Sequence, residues 1–260
     1  MKPVFIFSFL LLLIAGRPAA QSSKTVREYF QLQVFHYTSP EQEQQLDRYL
    51  QNALLPALHR LNNPRIGVFK ALSNDTAADK KIYVIIPFHE LQQWTQLSNH
   101  LQKDPKFLQA AADEQNSPNK AGIYDCIETI LLKSFSKAPL LQIPQLKGDK
   151  AQRVYELRSY ESSSEKRFRN KVAMFNDGDE IGIFRQLGFN AVFYGEVLAG
   201  PRMPNLMYMT THASMEARNQ NWKNFGSSPA WKKLNAMETY KDNVSHIDIT
   251  FLKATPYSDL

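Results

Sequence analysis

Four ionisable residues, Glu156, Arg158, His246 and Asp248, are the set in this sequence best suited to chemistry. They lie in two short segments, Val154–Tyr160 (VYELRSY) and Val244–Leu252 (VSHIDITFL). Both segments are rich in branched and aromatic residues and read as strands. Alternation along a strand puts Tyr155 and Leu157 on one face of the first, and Glu156, Arg158 and Tyr160 on the other. In the second segment Ile247, Ile249 and Phe251 share a face, and His246, Asp248 and Thr250 share the opposite one. If the two strands are neighbours, Glu156, Arg158, His246 and Asp248 come together on the side of the sheet away from the helices. An arginine placed there holds an anionic or enolate oxygen, while a histidine or carboxylate moves a proton. The structural alternative is that Arg158 is a counter-charge between Glu156 and Asp248, because a buried charge must be paired. Tyr194 and Tyr208 complete the candidate ligand-binding set, either orienting a substrate or filling the core.

The case for making those strands neighbours is a duplication. Tyr29–Tyr37 and Val154–Ser162 are matching strand-like runs. Ile66–Leu72 and Lys81–Phe88 match Ala191–Gly200 and Asn205–His212, and the closing ETILLK at Glu128–Lys133 matches DITFLK at Asp248–Lys253. The offset stays at about 120 to 126 residues, as expected for two similar units packed on one another. Each unit runs strand, helix, strand, strand, helix, strand, the ferredoxin-like order in which the first and last strands are adjacent. The expected fold is therefore α+β, with tandem ferredoxin-like units forming an intrachain pseudo-twofold α+β barrel. The first unit spans 27–135 and the second unit 153–254; the segment 136–152 between them reads as a linker, or as a short arm packed on one unit. The first unit carries Gln31, Gln33, Cys126 and Glu128 where the second has Glu156, Arg158, His246 and Asp248. Cys126 lies in the apolar run IYDCIETILL and reads as buried. Ser39-Pro40 caps the first helix, Pro56 should bend or break it, and Gly188 ends the helical stretch of the second unit.

Composition and the chain start narrow the function further. Lys2, the apolar run Val4–Ile14 and Ala19-Ala20 read as a signal peptide over 1–20, implying an exported protein, periplasmic or extracellular. No later stretch is long enough to span a bilayer, so no integral membrane span is expected after cleavage. The formal charge is +6. Its basic residues are scattered without interleaved exposed aromatics, which argues against nucleic acid as a partner. A single cysteine rules out an intrachain disulfide framework. There is no HExxH and no His/Cys/Asp spacing typical of a metal site, no phosphate-binding glycine loop, no nucleophile elbow and no haem-attachment motif. No metal and no cofactor are expected. His89 and His212 both follow the third strand of their units. Gly200–Asn205 holds Arg202 on a proline-flanked turn that could grip an anion or cover a cavity mouth.

The second unit resembles a NIPSNAP domain, over 153–254. The resemblance is carried by VYELRSYES at Val154–Ser162, EIGIFRQLGFNAVFYGEVLAG at Glu180–Gly200 and PNLMYMTTHASMEARNQNWKNFGSSPAWKK at Pro204–Lys233. The first unit reads as a diverged copy, with YFQLQVF in place of VYELRSY. The resemblance implies the dimeric α+β barrel fold shared with antibiotic-biosynthesis monooxygenases, whose relatives include cofactor-free monooxygenases, haem-degrading enzymes and small isomerases. It transfers no catalytic residue set. The leading expectation is a binding protein for a small molecule or a protein partner. The alternative is a monooxygenase- or isomerase-like enzyme with an internal barrel pocket, using Arg158 for an oxyanion and His246 or Asp248 for a proton. Haem handling ranks last. The internal duplication leaves both a monomer and a homodimer open.

Overall fold

The computed structural model describes residues 26–118 and 122–260. The apolar run expected to direct export lies outside the described residues. Among the described residues, no helix is long and apolar enough to cross a membrane.

The strands are β1 (Tyr29–Tyr37), β2 (Gly67–Ala71), β3 (Lys80–Phe88), β4 (Cys126–Ser134), β5 (Val154–Glu161), β6 (Asn190–Ala199), β7 (Asn205–His212) and β8 (His246–Ala254). The helices of the first unit are α1 (Pro40–Tyr49), α2 (Leu55–Arg60), α3 (Leu91–Gln102), α4 (Pro105–Ala110) and α5 (Ala112–Gln115). Those of the second are α6 (Glu165–Asn176), α7 (Glu180–Gln186), α8 (Met215–Ser227) and α9 (Pro229–Asn235).

Among the described residues, eight strands close into one antiparallel barrel in the order β1-β3-β2-β8-β5-β7-β6-β4. Within each unit the first and last strands pair, β1 with β4 and β5 with β8. The units join edge to edge through β2–β8 and β4–β6. All four outer edges of the two ferredoxin-like sheets are consumed in this way, which removes the exposed backbone an open sheet would present. The closure lies within a single chain.

Three apolar clusters follow from that geometry. Alternate residues such as Phe30, Leu32, Tyr155, Leu157, Met209 and Leu252 fill the barrel. The other face of the first unit packs Phe35 and Tyr37 under Leu46, Leu50, Leu54 and Leu58. The corresponding space in the second unit is aromatic, built on Phe175, Phe184, Tyr194 and Tyr208. The segment between the units is no free tether: Leu141 is buried in the barrel core, and the Gln142 amide donates to the Val192 carbonyl at 2.9 Å.

Local signals act as expected at several points. Ser39 accepts from the Gln42 amide in a capping box that starts α1, and Gly188, at φ 84°, follows α7. The break expected at Pro56 is a widened turn. Leu50–Leu54 is π-helical, and Pro56 falls in the first turn of α2, where its missing amide costs little. Cys126 is exposed rather than buried. It opens β4, whose residues become consistently buried only from Ile130 onward, so the apolar run around it extends past the barrel rim.

Gly67 in β2 shows how tightly the barrel closes. A Cβ there would meet Phe69, Ile85 and Leu260 side-chain atoms at 2.6, 2.7 and 2.7 Å. Gly67→Ala is therefore expected to lose about 1–3 kcal/mol through overpacking, read as a lower urea midpoint at unchanged slope. An unchanged midpoint would mean that the three side chains yield freely.

Candidate functional site

The strand pairing separates the four sequence candidates into two groups. Opposite Ser159 in β5 lies Asp248 of β8, and opposite Arg158 lies Ile249. Directly paired residues share a face, so Asp248 and Thr250 point the same way as Ser159 and Leu157, toward the barrel interior. Glu156, Arg158 and Tyr160 point outward beneath the helices. The expected cluster of Glu156 and Arg158 with His246 and Asp248 does not form, and the charged pair lies on the helix side, not away from it. The parity within each strand holds. The phase between the strands is the reverse of that expected.

Beneath the helices, Glu156 is fully buried and saturated with donors. It accepts from Arg158 Nε at 2.7 Å, from Arg218 Nε and Nη2 at 2.8 and 2.7 Å, and from Trp222 Nε1 at 2.8 Å. Arg218 and Trp222 reach it from adjacent turns of α8, four residues apart on one helix face. Arg158 stacks over the Trp222 ring at 3.7 Å from its centroid and donates to the Tyr160 hydroxyl at 3.1 Å, which meets the Tyr208 hydroxyl at 2.8 Å. Burial alone would push the Glu156 carboxyl up. The Arg218 hydrogen bonds, the Arg158 charge and the Trp222 indole outweigh it and hold the group below its ordinary value. Arg158 is thus the counter-charge of Glu156, as the structural alternative held, but without Asp248. This network clamps α8 to the sheet.

His212 borders the same network at the end of β7, buried, with Nδ1 3.1 Å from the Asn221 amide nitrogen. Burial lowers its pKa to about 4, helped by the Arg218 and Arg158 charges and opposed by Glu156. The ring is neutral at physiological pH. Its NMR resonances are expected to stay flat between about pH 8 and about pH 5; a midpoint inside that window would reject the burial account. Its sequence counterpart His89 is exposed just past β3, so the two do not share an environment.

Next to this clamp the helices stand off from the sheet. A cavity of about 520 Å³ is lined by Tyr160, Lys171, Glu180, Trp222, Trp231 and Asn243. Tyr160 comes from β5, Lys171 from α6, Glu180 from α7, Trp222 from α8 and Trp231 from α9. Lys171 Nζ donates to Glu180 Oε2 at 2.8 Å, with both side chains almost completely buried. The ammonium also lies 4.7 Å from the Phe175 ring centroid and 5.8 Å from that of Trp231. Burial raises the Glu180 pKa, only partly countered by Lys171. A volume of this size is within the range of a small-molecule site, and its lining is mixed, with Asn235, Lys241, Asp242 and Asn243 beside Lys171, Glu180 and the aromatic rings. Tyr194 and Tyr208 are buried and stacked on one another at 5.4 Å; neither lines this cavity, and Tyr194 lines a separate one of about 560 Å³ with Gln142, Arg185 and Asn190. Lys171 and Glu180 were not among the sequence candidates. They sit either side of the break between α6 and α7, and only the fold brings them together.

The first unit does not repeat this site. Gln31 and Gln33 stand on the helix-facing side of β1, opposite Ile86 and Val84, and aliphatic side chains fill the space above.

At the barrel mouth His246, Asp248 and Arg202 form a separate, solvent-exposed group. His246 Nε2 is 3.1 Å from Asp248 Oδ1, and Arg202 Nη1 bridges Asp248 Oδ2 at 2.8 Å and Glu161 Oε1 at 3.0 Å. The Arg202 turn thus covers a cavity mouth, and what it holds are carboxylates of this chain.

The fold and the site define an α+β barrel protein in which two ferredoxin-like units close one barrel and one unit keeps a polar cavity. The NIPSNAP family model matches residues 155–259, which is the carboxy-terminal unit. The structure is similar to that of a protein from Fusobacterium nucleatum subsp. nucleatum ATCC 25586 described as a candidate monooxygenase. The TM-score is 0.56 at 9% identity, over 88% of this chain and 93% of that one. A second such protein, from Lactobacillus acidophilus NCFM, gives a TM-score of 0.55 at 12% identity, over 88% and 94%. A NIPSNAP-like domain protein from Burkholderia xenovorans is 15% identical over 42% of this chain and 90% of its own, with a TM-score of 0.38. No curated protein matches the sequence significantly.

Proposed function

We propose that this protein is exported and binds a small planar molecule in the helix–sheet cavity of its NIPSNAP domain. The observation that carries the reading is the lining of that cavity. Tyr160, Trp222 and Trp231 line it with aromatic rings, while Lys171 and Glu180 offer one cation and one carboxylate at its floor. Ring faces hold a planar ligand through stacking with little loss of side-chain entropy. The ammonium–carboxylate pair then orients whichever polar group the ligand presents. A protein partner fits less well, because these groups are recessed. The reading is tested by native mass spectrometry of the protein purified gently from its own host, compared with a denatured sample. A noncovalent mass retained by the wild type and lost in Lys171→Met/Glu180→Gln supports it. No added mass, together with unquenched tryptophan fluorescence across a panel of planar carboxylates and phenols, sinks it. Amino-terminal sequencing of the same sample tests export: a start near Gln21 supports a cleaved signal, and a start at Met1 argues against it.

A second reading is turnover of that ligand by a cofactor-independent oxygenase. It is favoured by Glu180, whose raised pKa makes it a stronger proton acceptor than an ordinary carboxylate, and by the fold shared with the two candidate monooxygenases. The enzyme built from Arg158, His246 and Asp248 is not proposed, since those residues face opposite sides of the sheet. Oxygen consumption on adding the identified ligand, abolished by Glu180→Gln, separates turnover from binding.

A further inference from the structure

We propose that the rim of the barrel binds a divalent metal ion of the Zn²⁺ class through Glu161, His246 and Asp248, with Arg202 as the cation it displaces. One strand register creates the set. Glu161 of β5 lies directly opposite His246 of β8, and Asp248 follows on the same face of β8 two residues later. One ligand atom from each side chain lies within 4.8 Å of the others. Two metal–ligand bonds of about 2.1 Å at the tetrahedral angle place their donor atoms about 3.4 Å apart. Small side-chain rotations at an exposed rim can close that difference. One imidazole and two carboxylates are ordinary Zn²⁺ donors, and water would complete the shell.

Two further observations support a cation at this point. A single guanidinium nitrogen, Arg202 Nη1, already bridges Asp248 and Glu161, so the pocket between the carboxylates holds positive charge. Arg202 is more than half exposed, and such surface pairs contribute little, which makes its exchange for an ion inexpensive. The second observation is Asn205. It lies directly across β5 from this set, paired with Glu161, and is 3% exposed. Its Nδ2 donates to Ser159 Oγ at 3.0 Å, while its Oδ1 has no hydrogen-bond partner among the described residues. Asn205 lines the mouth cavity of about 310 Å³ together with Asp248 and Arg202. A buried carbonyl without a donor is costly, and water carried by a metal ion would supply one. Outer acceptors of this kind commonly orient a metal-bound water.

The test uses the full chain, titrated with Zn²⁺ by calorimetry and with Co²⁺ by its visible absorption bands. The expected result is one equivalent bound, at least ten-fold weaker in His246→Ala and several-fold tighter in Arg202→Ala. His246 and Arg202 are exposed, so both variants should fold, and circular dichroism checks this. No saturable binding up to millimolar metal, or binding unmoved by His246→Ala, overturns the site. An affinity unchanged or weakened in Arg202→Ala overturns the role given to Arg202. None of these substitutions touches the helix–sheet cavity, so this outcome is independent of ligand binding there.

Discussion

Glu156→Ala is expected to destabilise the protein by about 3–5 kcal/mol, because it leaves the buried Arg158 and the partly buried Arg218 guanidinium groups without their shared carboxylate. At about 2–4 °C per kcal/mol for a chain of this size, the midpoint of thermal unfolding falls by about 6–20 °C. The loss exceeds that of an ordinary surface pair because Glu156 is fully buried and has no water to fall back on. Glu156→Gln is expected to recover only part of it, since the amide keeps the shape and loses the charge facing Arg158 and Arg218. The pH dependence gives an independent check. The native Glu156 pKa lies below its ordinary value of 4.5, so the unfolded chain takes up the proton first. The stabilisation is complete above that ordinary value and is lost as pH falls through the lower native one. The wild type should therefore lose stability on acidification over a range in which Glu156→Ala does not lose that contribution. A thermal shift under about 2 °C, less than about 1 kcal/mol, would show that the network is not desolvated.

That network depends on a feature that local sequence does not encode. The duplication made the unit order, the adjacency of β5 and β8, and the α+β barrel legible, because each rests on local periodicity repeated twice. Parity within a strand was legible for the same reason. The phase between β5 and β8 was not. A slip of one residue turns every side chain to the other face, and the segment between them is long enough to permit either register. The structure pairs Arg158 with Ile249, and that one offset moves His246 and Asp248 to the barrel mouth. It also hands Glu156 to Arg218 and Trp222, whose four-residue spacing puts them on one face of α8. Strand pairing likewise brings Glu161 to His246. Composition made the segment between the units legible as a linker or packed arm but did not single out Leu141, which enters the barrel core, because polar flanks say nothing about a single apolar residue finding a gap.

The asymmetry between the units carries the functional argument. Both copies must cover the outer face of their sheet with helices. The first does so with aliphatic and aromatic side chains together, Leu46, Leu50, Leu54 and Leu58 over Phe35 and Tyr37, and its cavity of about 390 Å³ lies away from Gln31 and Gln33, among Leu58, Arg65, His89 and His100. The second does so with large rings packed on one another, beside which Lys171 and Glu180 face a cavity. The polar groups of the second unit therefore do two jobs: Glu156 with its arginines and indole fixes α8, and Lys171 with Glu180 occupies the floor of the space that remains.

Removing one member of the Lys171–Glu180 pair should be far worse than removing both. Glu180→Ala or Lys171→Ala leaves a buried, unpaired charge and is expected to cost about 3–5 kcal/mol. Lys171→Met/Glu180→Gln replaces the pair with neutral side chains of similar volume and is expected to lie between no change and a gain of about 1–4 kcal/mol. Urea midpoints of the singles and the double at neutral pH measure the coupling; losses that simply add would reject the pair as a desolvated unit. The sign with pH is opposite to that of Glu156. Burial raises the native Glu180 pKa above 4.5, so the native state holds its proton more tightly than the unfolded chain. Its contribution to stability is present below the ordinary value and is lost as pH rises through the raised one. Glu180→Gln should accordingly remove the loss of stability that sets in above the ordinary carboxylate value, whereas Glu156→Ala removes the one that sets in below it. A protein that gains or keeps stability on losing the pair, yet loses its bound ligand, would place the reason for burying those charges in recognition rather than in folding.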